Sequence, residues 1–156
     1  MAKLGSYSGT YEDCLKWIFE GLFVFALTWS FGAALTEDRI WFSGMMRNKC
    51  KVKIPEGGYI HDYRFDILNI CWTSWSDGLE KMDAGYDGLY SNLIVPTIET
   101  KRQTELIKIH TPSQRGLFYG GIAGTGKTTI LKNFTANMNR EKYTAASVNF
   151  NSYTDS

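Results

Sequence analysis

No uncharged apolar run in this chain reaches the roughly 20 residues that a bilayer-spanning helix needs. The nearest approach, Gly21 to Leu35, holds fifteen uncharged residues and follows Lys16 and Glu20 on the same helical pattern. It is read as too short to span, and no membrane partner is expected. A secretory leader is not read either, because the stretch from Ala2 to Asp13 is polar and ends acidic. Charge of one sign is equally scarce. Seventeen Lys and Arg against sixteen Asp and Glu leave a net charge of +1, which gives no electrostatic footprint for nucleic acid. Cysteine is limited to Cys14, Cys50 and Cys71, an odd number widely spaced, so neither a disulfide framework nor a zinc site is indicated and a reducing compartment is the simplest setting. The two histidines, His61 and His110, lie near neither each other nor a cysteine pair. No metal site is expected from these cysteines and histidines.

Aromatic residues, by contrast, are plentiful. They make up 15% of 156 residues, with five Trp, which suits a globular chain that packs against further protein. Thr10 with Asp13 three residues on predicts a capped helix start, and Leu15, Ile18, Leu22, Phe25 and Trp29 recur at helical spacing. From Gly21 the other faces are apolar too, so this helix is expected to be buried nearly all round, with Gly32 admitting a close backbone. Thr36-Glu37-Asp38 reads as the cap and acidic first turn of a second helix to about Asn48. Lys49 to Ile54, where Lys51-Val52-Lys53-Ile54 alternates before Pro55, reads as a short edge strand or extended segment. The alternation from Tyr59 to Ile70, leading to Trp72 and Trp75, leaves its state open. Turn signals at Asp77-Gly78, Asp83 to Gly85 and Asp87-Gly88 predict an irregular connection from Ser76 to Asn92. A helix from about Thr97 to Ile109, marked by Ile98, Leu106 and Ile109 and closed by Pro112, then leads to a glycine-rich segment.

That segment carries the chemistry. From Gly121 it reads Gly121-Ile122-Ala123-Gly124-Thr125-Gly126-Lys127-Thr128, a G-x-x-x-x-G-K-T phosphate-binding loop. Leu117, Phe118 and Tyr119 before it read as a buried parallel strand, and Ile130 to Phe134 after it as the start of a helix. Glycine permits positive φ, so the backbone can wrap several N–H groups around a β-phosphate. Lys127 would place its charge against the β- and γ-phosphates, Thr128 would ligate Mg²⁺, and Thr129 would add a hydroxyl near the α-phosphate. A plain glycine-rich turn with an exposed lysine is the alternative. Thr144 to Phe150 alternates as a second strand.

A P-loop hydrolase also needs an acidic residue at the end of another strand to complete the magnesium shell and polarise water. Twenty-nine residues follow Lys127, and none supplies such an acid after an apolar run. No catalytic residue is therefore assigned. The expected fold class is α/β: a truncated P-loop NTPase module over 93–156, preceded by a helical segment over 1–50 and an irregular insert over 51–92.

Several blocks in order resemble the heavy chain of dynein, at the end of its second AAA+ module and the start of its third. Phe25 to Leu35 is similar to that family's apolar helix with a Trp-(Ser/Ala)-x-Gly-Gly signature, with Ala33 in place of the second glycine. Val52-Lys53-Ile54-Pro55, Gly58 to Tyr63 and the Trp72/Trp75 pair resemble the insert that follows. Leu93-Ile94-Val95-Pro96-Thr97-Ile98-Glu99-Thr100 is close to the Val-Pro-Thr segment, and Gly121 to Thr128 to the third P-loop. Lys101-Arg102-Gln103 and the last eight residues depart from the family pattern. The resemblance implies a microtubule motor ATPase that binds ATP and Mg²⁺. It implies the remaining AAA+ modules, the microtubule and other dynein subunits as partners, a cytoskeletal and axonemal setting, and a module that regulates the motor ring. It also implies that Val95, Pro96 and Thr97 hold the adenine base, an apolar slot for a flat ring. Two other readings stand beside it: a P-loop kinase or GTPase unrelated to motors, for which the Asn-Lys-x-Asp guanine-reading segment is lacking, and a structural module with a vestigial loop.

Overall fold

A computed structural model describes residues 10–79, 95–114 and 116–149, which divide into two compact units at Leu79/Glu80. Helix α1 spans Tyr11–Ser30 and begins as expected. The Thr10 hydroxyl accepts from the Asp13 N–H at 3.3 Å, and the Asp13 carboxylate returns the bond to the Thr10 N–H at 3.3 Å. The hydrogen bond from Thr10 is the main reason the Asp13 carboxyl sits below its usual range. The helix closes into a short 3-10 turn at Gly32–Ala34. Helix α2 spans Arg39–Lys49 and starts two residues later than its acidic signal suggests. Glu37 and Asp38 precede the helix instead of filling its first turn, and Asp38 makes no side-chain cap. The turn is tied instead by the Arg39 Nε, which donates to the Leu35 carbonyl at 2.8 Å.

The core of this unit forms where α1 and α2 meet the segment that follows. Val24, Phe42, Met46, Val52, Ile54, Ile60 and Trp72 are its buried residues. Lys51 to Ile54 does alternate in and out, with the lysines exposed and Val52 and Ile54 in the core. Of the two expectations the strand is the one not met, because among the described residues its backbone has no ladder partner. The Lys51 N–H is taken by the Glu20 carboxylate on α1 at 2.9 Å. The next turn is clamped by one side chain: the Arg47 guanidinium donates to the carbonyls of Pro55, Gly57 and Gly58 at 2.8, 3.2 and 2.8 Å. Carbonyls on a bending backbone cannot bond one another, so a forked donor that reaches all three replaces a ladder.

The stretch whose state the sequence leaves open is a β-hairpin. Strand β1 (Tyr63–Asp66) pairs antiparallel with β2 (Cys71–Ser74), and Phe65 lies directly opposite Trp72 with ring centroids 5.4 Å apart. Asp66 shapes the turn by accepting from the N–H groups of Leu68 and Asn69 and from the Asn69 amide. Ile70 closes the turn at φ 50° while 1% exposed. A β-branched residue in the left-handed region is strained by on the order of 1–2 kcal/mol, and the roughly 1.5–3 kcal/mol from burying its side chain offsets that strain.

Two glycines fix how α1 meets its neighbours. A β-carbon on Gly21 would lie 2.3 Å from the Phe65 ring, and one on Gly32 would lie 2.8 Å from the Phe42 ring and 3.2 Å from the His61 Nε2. Gly32 thus admits aromatic side chains where a backbone approach is expected. Gly21→Ala tests the tighter contact. Alanine favours a helix by about 1 kcal/mol, whereas overpacking a core costs about 1–3 kcal/mol. Phe65 is held by its strand and by Trp72, so the steric term wins, and Gly21→Ala is expected to destabilise this unit by about 1–2 kcal/mol. All five tryptophans belong to this unit, so a urea titration of the chain followed by tryptophan fluorescence reports on it. A midpoint equal to or above wild type would show that the ring moves aside freely.

The expectation of burial all round α1 is not met. Gly21, Val24 and Thr28 are its buried residues, whereas Phe19 and Phe23 are 68% and 65% exposed. An apolar face of the helix therefore lies uncovered within this unit. The length estimate also needs correction: counted from Tyr11 to Ala34, 24 residues are long and apolar enough, by length and composition alone, to cross a membrane. A helix with one face in a folded core meets the same test, and α1 has such a face.

In the second unit, helix α3 spans Ile98–His110 and begins at a Thr97/Thr100 capping pair. Pro112 sits in the 3-10 turn that ends it, as expected. Ile107 is its buried apolar residue, while Ile98 and Ile109 are exposed. Arg102 and Gln103, within the stretch that departs from the family pattern, both bond to Glu99 on the helix surface. Helix α4 spans Lys127–Ala136, packs against α3 and buries Ile130. Leu117 to Tyr119 is not a strand, and Phe118 is 93% exposed. Residues 144–149 form none either. Strands exist as hydrogen-bonded pairs, and neither segment has a ladder partner among the described residues. The connection at 80–92 and the approach at Leu93 and Ile94 lie outside the described residues.

Candidate functional site

Residues 120–129 pass from an irregular segment through a turn into α4. Gly124 and Gly126 take φ of 83° and 77°, and a β-carbon at either would meet nothing within 4 Å. The requirement for glycine there is one of backbone conformation, not space. Gly121 also has positive φ, at 154°. Gly126 is the N-cap of α4 and offers no capping side chain, and no acidic residue stands in the first turn. The N–H groups that open this helix, those of Lys127, Thr128 and Thr129, are thus left without a capping group at the positive end of the helix dipole.

Side chains complete the loop. The Thr125 hydroxyl donates to the Ile122 carbonyl at 2.9 Å. The Lys127 ammonium donates to the same carbonyl at 2.6 Å and to the Thr125 Oγ1 at 3.0 Å. The lysine is thereby folded over the loop that precedes it. Ile122, Ala123, Thr125, Thr128 and Thr129 are exposed. A positive charge, an uncapped helix start and glycines in the left-handed region on one short segment suit a phosphate group.

The tether to α3 runs through Tyr119, whose hydroxyl donates to the Gln103 carbonyl at 3.3 Å and whose phenol is pushed above its usual pKa by burial. Val95, Pro96 and Thr97 lie at the start of α3. Val95 is exposed and Pro96 half-buried, while the Thr97 side chain is engaged in the helix cap, accepting from the Thr100 N–H at 3.1 Å. The helix start expected at about Thr97 is thus where the structure has it, with the Thr97 hydroxyl as its cap. Among the described residues no cluster of His, Cys, Asp or Glu could hold a metal ion. His61 is packed, 2% exposed, edge-on to Trp29 at 5.7 Å and against Phe42 at 6.0 Å. The three cysteines are free thiols, and burial raises the pKa of Cys50 and Cys71.

A glycine loop that turns into a lysine-headed helix marks the second unit as one that carries a P-loop sequence, joined in sequence to a helical unit with a hairpin. Comparison with known proteins narrows the class. A family profile described as the P-loop containing dynein motor region matches residues 84–156, and the dynein heavy chain AAA lid domain matches residues 2–77. The chain belongs to the dynein heavy chain family. It is 33% identical over 150 residues to human dynein axonemal heavy chain 9, an alignment covering 92% of this chain. It is 32% identical over 139 residues, 85% of the chain, to the dynein beta chain of the flagellar outer arm of Chlamydomonas reinhardtii. To the dynein-1-alpha heavy chain of the inner arm I1 complex of that alga it is 26% identical over 154 residues, 89% of the chain. The chain spans about 3% of the length of each of these relatives.

Proposed function

We propose that this chain is an ATP-binding segment of a dynein heavy chain, running from the end of the second AAA+ module into the third. The observation that carries the reading is the Lys127 ammonium held over the loop at the uncapped start of α4. In this reading the N–H groups of Gly124 to Thr129 hold the β-phosphate and Lys127 neutralises the β- and γ-phosphates. The Thr128 hydroxyl would hold Mg²⁺, Thr129 would serve the α-phosphate, and Val95, Pro96 and Thr97 would hold the base. Bound magnesium would supply charge neutralisation between the terminal phosphates.

Binding is the task of these residues, and cleavage is assigned to none of them. The module serves as a regulator of the motor ring. Its partners are the remaining AAA+ modules of the same heavy chain, other dynein subunits and, through other parts of the heavy chain, the microtubule. The uncovered Phe19 and Phe23 are consistent with further protein around α1. A cytoskeletal setting in a cilium or flagellum is the localisation proposed, and the names of the flagellar and axonemal relatives support it. Photolabelling of the heavy chain that carries this segment with 8-azido-ATP, followed by peptide mapping, tests the reading. The mapped label is expected within residues 93–129, suppressed by excess ATP and reduced several-fold by EDTA. Labelling here that neither ATP nor EDTA changes would overturn it.

A further inference from the structure

Thr125 stands at a position that the P-loop pattern leaves free, between two glycines in the left-handed region. A hydroxyl has one proton and two lone pairs. In Thr125 the proton goes to the Ile122 carbonyl at 2.9 Å, which leaves a lone pair for the Lys127 ammonium at 3.0 Å. The same ammonium reaches the Ile122 carbonyl at 2.6 Å, so three residues close a ring of hydrogen bonds across the loop. Among the described residues Thr125 is the one side chain bonded to this ammonium. Ala123 offers no polar group, and Thr128 and Thr129 lie beyond the start of the helix. A lysine has four rotatable side-chain bonds, and an unheld ammonium samples many positions away from the loop.

We propose that Thr125 is a positioning residue for phosphate recognition: its hydroxyl holds the Lys127 ammonium over the loop, so that the charge meets the terminal phosphates of a nucleoside triphosphate already oriented. The proposal rests on the nucleotide-binding reading above. Thr125→Val keeps the shape of the side chain and removes both hydrogen bonds, whereas Thr125→Ser keeps the hydroxyl. The test has two readouts in the heavy chain that carries this segment.

The first needs no nucleotide. The rate at which acetic anhydride acetylates Lys127, followed by mass spectrometry of the mapped peptide, is expected to rise several-fold in Thr125→Val and to stay at the wild-type value in Thr125→Ser. The second is ATP binding, measured by suppression of 8-azido-ATP labelling at the mapped peptide. Half-suppression should require roughly five- to tenfold more ATP in Thr125→Val, the scale of one ordinary hydrogen bond lost, and about the wild-type concentration in Thr125→Ser. An unchanged Lys127 acetylation rate in Thr125→Val overturns the proposal, as does unchanged ATP binding, or a serine variant that behaves like valine. Lys127→Ala separates the two levels. If it leaves ATP binding intact, the nucleotide reading itself fails. If it abolishes binding while Thr125→Val does not weaken it, the positioning role alone fails.

Discussion

Lys127→Ala is expected to abolish ATP binding at this segment, with affinity lower by at least about a hundredfold. Two unit charges 4 Å apart attract by about 4 kcal/mol at the effective dielectric typical near a protein surface, and about 2.7 kcal/mol already corresponds to a hundredfold. Lys127 would face two phosphates at once, so its removal takes more than one such term. It also removes the bonds to Ile122 and Thr125 that close the loop. The helix should survive, because alanine is the most favourable helix residue and Ile130 still donates to the Gly126 carbonyl at 3.0 Å. The loss is therefore one of recognition and not of folding. Lys127→Arg is expected to rescue little, since a planar guanidinium cannot replace a compact ammonium folded back onto a carbonyl 2.6 Å away. Site-mapped photolabelling of the heavy chain checks both variants, and wild-type labelling in Lys127→Ala would remove phosphate binding from this loop.

The loop could be read from the sequence because its requirements are local. Positive φ at Gly124 and Gly126, and a helix that starts at Lys127, are settled within a dozen residues. The same holds for the helix starts at Thr10 and Thr97, where one hydroxyl and one backbone N–H three residues on decide the matter. What could not be read depends on partners distant in sequence. Val52 and Ile54 alternate as a strand would, yet Lys51 bonds to Glu20, 31 residues earlier, and no ladder forms. Leu117 to Tyr119 has the composition of a parallel strand, but composition supplies no neighbour. The hairpin at Tyr63–Ser74 was hidden for a third reason. Its turn lacks the Asn-Gly or Asp-Gly signal and is built by Asp66 and Asn69, with Ile70 forced to positive φ. Helix α1 reads as buried all round because hydrophobicity reports that a face can be covered, not by what. Phe19 and Phe23 stay exposed in the unit that carries them, and its small core engages the Val24 and Thr28 side.

The second large effect concerns the same unit, at a buried ring outside the cluster around Val24 and Phe42. Trp75→Ala is expected to destabilise the first unit by about 3–5 kcal/mol, the range for truncating a buried tryptophan. Trp75 is 1% exposed although it lies one residue past β2. Three contacts hold it there. Its backbone N–H donates to the Asp62 carbonyl at 3.0 Å, its indole Nε1 donates to the His61 carbonyl at 3.1 Å, and its ring meets Trp29 of α1 edge-on at 6.5 Å. The indole thus joins the end of the hairpin both to the turn that begins it and to α1. A folded unit of fewer than eighty residues has a stability of only about 4–12 kcal/mol, so the loss is a large fraction of the total. Trp75→Phe divides the effect. It keeps an aromatic ring but leaves the His61 carbonyl without its donor, which costs about 1–3 kcal/mol. Urea titrations read by the fluorescence of the four remaining tryptophans should therefore place the midpoints in the order wild type, Trp75→Phe, Trp75→Ala. If Trp75→Phe fell as far as Trp75→Ala, the hydrogen bond would outweigh the packing. If neither moved, the hairpin would be held by Phe65 and Trp72 without help from Trp75.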